Sequence, residues 1–285
     1  MIVPWRDRRG KFLPLKAAAF AAAFVPAFFY AYWWIVGAAE PRPITEAIHG
    51  TGLWAIRFFL ISLAITPVAR MLQWPGLLLI RRMMGLTGLA YLVAHLFFYI
   101  MDQKFILATV VTEIVSRFYL TIGFVALLGF VALGATSTNG MIKRMGRWWK
   151  RLHYATYVLI AMGVFHYFIQ VKANVSEPVF VAGLYAWMML WRALPMGWQR
   201  GVAIYPALAV VAALATACIE FAWYALATNI NPWRVLAVSE TLSFGLRPAH
   251  YVFIAGVVVV VLVVVRRLAA RFGKRSGGMM AVRSA

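Results

Sequence analysis

The stretch RWWKRLHYATYVLIAMGVFHYFIQV, residues 147–171, decides how this chain is read. Its first five residues are three cations and two tryptophans, the composition of a segment seated among lipid headgroups. The 20 that follow contain no Asp, Glu, Lys or Arg, and a run of about 20 apolar residues is what a helix needs to cross the hydrocarbon of a bilayer. Inside that run stand His153 and His166. An ionisable side chain within a span marks a functional site by default, and neutral imidazole is the usual axial ligand of b-type haem iron.

Seven further apolar runs surround it, at 17–37, 51–69, 83–101, 114–134, 178–194, 203–227 and 249–265, separated by Pro, Gly or charged residues. Only as helices can they satisfy their backbone polar groups in lipid. The expected fold is therefore an all-α integral membrane protein of about eight transmembrane helices. Composition agrees: 64% of the 285 residues are hydrophobic and 13% charged, against roughly 45 to 50% apolar and 25% charged in a soluble domain. Mean hydropathy is +0.81. A net charge of +20 would suit nucleic acid in a soluble chain, but here the cations cluster between the apolar runs. They report topology and contact with lipid, not a nucleic-acid partner.

Of the 28 Lys and Arg residues, 21 fall on one set of alternate loops, six on the other, and Arg57 lies inside the second span. That bias puts both termini in the cytoplasm of a bacterial inner membrane. Arg6, Arg8, Arg9, Lys11 and Lys16 precede the run 17–37 as in a secretory signal, yet the run exceeds the roughly 7 to 15 residues of a signal core and reads as a retained first helix. The segment 229–248 reads as amphipathic chain at the outer interface. The single cysteine, Cys218, excludes intramolecular disulfides, thiolate-held iron–sulfur clusters and covalent haem attachment. No G-x-G-x-x-G or P-loop occurs, so no nucleotide-binding domain is expected.

Depth along each span follows from the basic clusters at about 1.5 Å per residue. His95 lies 13 residues after Arg82 and His166 lies 15 after Arg151, so both sit roughly 20 Å in, level with each other on helices that run the same way. Two histidines at one height can hold one iron from opposite sides. His153, two residues past Arg151, is either an interfacial residue or a ligand of an inner haem, for which the third span offers Arg81 and Arg82 and no histidine. Arg57 either snorkels toward the outer surface or pairs with a haem propionate. His49 and His250 fall at the outer ends of spans, where interfacial roles are commoner than ligation. No internal repeat is apparent, which weighs against a transporter bundle.

Several ordered motifs carry a resemblance. They are Ile48-His49-Gly50-Thr51-Gly52 with Trp54-Ala55-Ile56-Arg57-Phe58 and Leu63-Ala64-Ile65-Thr66-Pro67; Arg81-Arg82-Met83-Met84-Gly85-Leu86 leading to Ala94-His95-Leu96; and Thr136-Ser137-Thr138-Asn139-Gly140-Met141 leading to Gly146-Arg147-Trp148-Trp149-Lys150-Arg151-Leu152-His153, Tyr157, His166-Tyr167 and Val171-Lys172. Together they resemble the MsrQ family of haem-binding membrane subunits, within the ferric-reductase-like transmembrane group. The resemblance covers about residues 15–195.

It implies a six-helix haem domain over 1–195 and a C-terminal extension over 196–285 with two further spans and a basic tail. It implies haem b, one or two per chain, at His95, His153 and His166, and bound FMN. His49 falls in the family's H-x-T-G motif without an assigned role. The implied function is an electron-transfer subunit with no substrate-reducing site of its own. Electrons would come from the quinone pool or a cytosolic flavin reductase and go to the periplasmic molybdopterin reductase MsrP, which repairs methionine sulfoxide in proteins. A stand-alone metal reductase is the rival, weakened by the missing flavin and nicotinamide domain; a non-redox transporter-like bundle is the other.

Overall fold

The computed structural model describes residues 3–6, 10–37, 42–171, 174–240 and 245–283, and the side chains of all of these except 239–240 and 271–283. Arg8, Arg9 and Lys172, counted above for topology, lie outside the described residues. Regular structure among the described residues is helical: α1 Pro14–Ile35, α2 Pro43–Met71, α3 Leu78–Asp102, α4 Leu107–Ser116, α5 Phe118–Ala135, α6 Asn139–Met145, α7 Arg147–His153, α8 Ala155–Gln170, α9 Ser176–Ala193, α10 Ile204–Ala227, α11 Pro232–Glu240 and α12 Pro248–Arg283.

Among the described residues, seven stretches are long and apolar enough to cross a membrane: α1, α2, α3 with its leading turn, α5, α7 with α8, α10 and the first part of α12. Among the described residues the protein is all-α, with the spans of a multi-pass membrane protein. The eighth expected span forms as α9, whose 18 residues include Glu177 and Arg192 and stand outside those seven. The expected run at 114–134 divides. Arg117 is extended (φ −109°, ψ 108°) and separates α4 from α5. The Thr121 hydroxyl donates to the Ile114 carbonyl at 2.6 Å, satisfying backbone that the break exposes.

The chain packs as two compact units. The first comprises Met1–Ile65 and Leu77–Ala173. In it α5 packs on α8, and α3 packs on α1 and α5. Phe58, Ile65 and Met84 form a buried cluster under Trp54, Ile80 and Tyr91. Pro26 interrupts the ladder of α1. Beside it the Tyr91 hydroxyl donates to the Ala23 carbonyl at 2.9 Å and accepts from the Ala27 N–H at 3.1 Å. A hydroxyl from α3 thus occupies the gap where an i to i−4 bond would run, which keeps the backbone beside Pro26 satisfied in lipid.

The second unit comprises Thr66–Gly76 and Asn174–Ala285, with α9, α10 and α12 packed together. Its core joins Met71, Trp191, Tyr205, Leu208 and Val263. Gly256 lets α12 approach Ala209 of α10 so closely that a Cβ there would meet it at 2.5 Å, the small-residue contact that brings membrane helices together. Buried Glu220 pairs with Arg247 toward the C-terminal end of α10.

Candidate functional site

Within the first unit the structure brings His95 and His166 together: their ring centroids are 6.4 Å apart and the rings are nearly perpendicular, at 83°. Each ring is fixed by a neighbouring helix. His95 Nδ1 lies 2.8 Å from the Ile48 carbonyl on α2, and His166 Nδ1 lies 2.7 Å from the Tyr119 carbonyl on α5. A carbonyl only accepts, so each Nδ1 carries the proton and donates it. Each neutral ring therefore keeps its lone pair on Nε2, the nitrogen left to hold a metal.

One turn along the same two helices, glycines make room for the rings. A Cβ at Gly52 would stand 2.9 Å from His95 Nδ1, and one at Gly123 would stand 2.9 Å from both Nδ1 and Cε1 of His166. These contacts share one register. Ile48 and Tyr119, Gly52 and Gly123, and His95 and His166 are each 71 residues apart, so α2 with α3 and α5 with α8 build the two halves of the site alike. Phe59 and Phe130 obey the same shift and stack on each other, centroids 3.8 Å apart and planes 8° apart. The expectation of no internal repeat is corrected: the repeat is present in contacts, although half of its work is done by backbone carbonyls that side-chain identity does not reveal.

The residues fit a bis-imidazole iron. Metal–nitrogen bonds of about 2.0 Å would separate the two ring centroids by about 6.3 Å, and the observed separation is 6.4 Å.

His153 stands apart from this pair. It stacks on Trp149 at 3.9 Å, and its Nδ1 lies 3.0 Å from the Trp149 carbonyl. The Ser137 hydroxyl is 3.3 Å from His153 Nε2 and 2.7 Å from the Leu133 carbonyl, and its one hydrogen serves one of them. The surrounding loop is well tied: Trp149 Nε1 donates to the Thr136 carbonyl, and Arg82 donates to the Ser137 carbonyl and to Asn139 Oδ1. The 71-residue shift carries His153 onto Arg82, so the two halves differ at this end. Arg57 rests over Trp54, 5.0 Å from its ring centre. His49 is exposed. His250, in the second unit, accepts from the Arg247 N–H and takes no part in the site.

Comparison with known proteins agrees with this architecture. Residues 51–164 match the model of the ferric reductase like transmembrane component. Proteins named as the haem-binding subunit MsrQ of protein-methionine-sulfoxide reductase are similar over much of their length. The Rhodospirillum rubrum protein is 38% identical over 192 residues, 67% of this chain and 90% of its own. The Brucella anthropi protein is 38% identical over 174 residues, 61% and 79% of the two chains. The chain belongs to the MsrQ family. The Caulobacter vibrioides member is 37% identical over 173 residues, 60% of this chain and 82% of its own. No solved structure matches the chain.

Against this MsrQ background, Gly52, His95, Gly123 and His153 lie inside the matched transmembrane component, and His166 lies two residues past its end. Sequence reading singled out the histidines and missed Gly123 and the two carbonyls. A glycine within an apolar span was the available signal, since it marks a close approach.

Proposed function

We propose that this chain is the haem-binding electron-transfer subunit of a methionine sulfoxide reductase system, with one haem b held between His95 and His166. The observation that carries the reading is the paired imidazoles at 6.4 Å, each with Nδ1 committed to a backbone carbonyl. When bound, haem supplies a one-electron iron couple whose potential the axial ligands and their hydrogen bonds tune. Ile48 and Tyr119 set the tautomers, Gly52 and Gly123 seat the rings, and the Phe59–Phe130 stack fills the space between α2 and α5 with carbon.

His153, stacked on Trp149, is the proposed residue for a second, inner haem. Arg57 is the proposed propionate contact, as a cation within a span. The role belongs to residues 1–195, with 196–285 as an extension. With 21 of 28 cations on one set of loops, both termini face the cytoplasm of the inner membrane. There electrons arrive from quinol or a cytosolic flavin reductase, FMN being the carrier the family resemblance implies. The electron acceptor is the periplasmic molybdopterin enzyme MsrP.

The test is a reduced-minus-oxidised spectrum of the purified protein. Wild type carries haem b, and His95→Ala and His166→Ala each lose the same haem. A wild type without haem, or two variants that lose different haems, overturns the reading.

A further inference from the structure

The second unit holds a cavity that the electron-transfer reading does not use. It has a volume of about 370 Å³ and is lined by Arg70, Gln73, Met196, Gln199, Arg200 and Arg267. Three guanidinium groups and two carboxamides line it, and no carboxylate does. Two of the arginines are held in place. Arg70 donates to Gln199 Oε1 at 3.1 Å and lies over Trp191, and buried Gln199 in turn donates to the Leu194 carbonyl. Arg267 donates to the Met71 and Arg200 carbonyls and to the Tyr205 hydroxyl, while its Nε is buried without a hydrogen-bond partner. Arg70 and Arg200 are exposed and Arg267 is half-buried. Three cations converging without a counter-charge repel one another, and a guanidinium set with two members pre-positioned by hydrogen bonds is an arrangement that recognises phosphate.

The cavity lies where α2 ends, α10 begins and the apolar part of α12 gives out, which is the level of the headgroups. Its rim is interfacial: Trp74 is 37%, Trp198 60% and Met196 71% exposed, and Arg266 stacks over Trp74 at 4.7 Å. Tryptophan at the ends of spans sits among headgroups, and basic pockets between transmembrane helices on the cytoplasmic side take anionic lipid headgroups. The Lys and Arg bias assigns this end to the cytoplasm.

We infer that Arg70, Arg200 and Arg267 form a binding site for a phosphate group, supplied by an anionic phospholipid of the inner leaflet. A soluble phosphate would meet the same guanidinium groups but would make no use of the apolar rim.

The full-length protein is placed in nanodiscs of phosphatidylcholine with a minor fraction of phosphatidylglycerol, and the phosphatidylglycerol bound is measured by lipid mass spectrometry after mild delipidation. Arg200→Gln is the first variant, because the Arg200 side chain makes none of the bonds that hold Arg267; Arg70→Gln is the second, with haem content of each reporting intact folding. Wild type is expected to retain phosphatidylglycerol over phosphatidylcholine, and each variant to retain about tenfold less, the loss of one charge-assisted contact. Equal retention by wild type and both variants overturns the site. Displacement of the lipid by millimolar inorganic phosphate overturns the lipid assignment in favour of a soluble phosphate ligand.

Discussion

Replacing Gly52 by alanine tests whether α2 seats the His95 ring. The new Cβ would stand 2.9 Å from Nδ1 and 3.1 Å from Cε1, whereas unstrained contacts of this kind fall at about 3.5 to 4.0 Å. The ring must then retreat by about 0.6 to 1 Å. That would stretch the 2.8 Å bond from Nδ1 to the Ile48 carbonyl beyond the roughly 2.7 to 3.2 Å range of a hydrogen bond. Loss of the outer partner of a metal-ligating histidine lowers metal affinity about 10- to 100-fold, or about 1.4 to 2.7 kcal/mol. Alanine also favours the helix over glycine by about 1 kcal/mol, so a loss of haem cannot be ascribed to a weakened α2.

The assay is haem per chain in solubilised protein over a haemin titration, for Gly52→Ala, Gly123→Ala and the control Gly140→Ala, where a Cβ meets nothing closer than 3.9 Å. Because the two halves share one register, Gly52→Ala and Gly123→Ala should weaken the same haem to a similar degree. Full haem content with an unchanged spectrum in both would refute the seating argument.

Tyr91→Phe removes the hydroxyl that bridges Ala23 and Ala27 and should lower stability in detergent titrations by about 1 kcal/mol, the scale of interhelical hydrogen bonds in membranes; an unchanged midpoint would mean that α1 is held beside α3 by packing alone. In the second unit the Glu220 side chain is 3% and its partner Arg247 22% exposed. Glu220→Gln strands the arginine and should cost about 3 kcal/mol in thermal unfolding, whereas Glu220→Gln with Arg247→Gln should recover most of it. A double variant no more stable than the single one would show that the charge is not what is lost.

The spans were legible because lipid leaves a chain few choices: an apolar run must close its own hydrogen bonds, and a helix is how one segment does so. Their limits were less legible. Residues 107–116 form α4, although the apolar periodicity there is short, and the break at Arg117 depends on Thr121 reaching the Ile114 carbonyl. The meeting of His95 and His166 followed from counting residues from the basic clusters, since rise per residue fixes depth once both helices run the same way. Counting could not supply the direction each ring faces. Nor could it show that His153 and His166 fall on separate helices, since regular helix gives way to a turn at Tyr154, between α7 and α8.

Composition, the spacing of apolar runs and the placement of cations thus determined by themselves that the chain is a multi-pass helical membrane protein with two histidines at one depth, because hydrophobicity and helical rise are properties of the chain alone. Tertiary structure decided which groups orient those histidines. The Ile48 and Tyr119 carbonyls and the bare Cα atoms of Gly52 and Gly123 do that work. A carbonyl is the same in every residue, and a glycine is needed only where another helix comes close, so neither role can be read until the helices are packed.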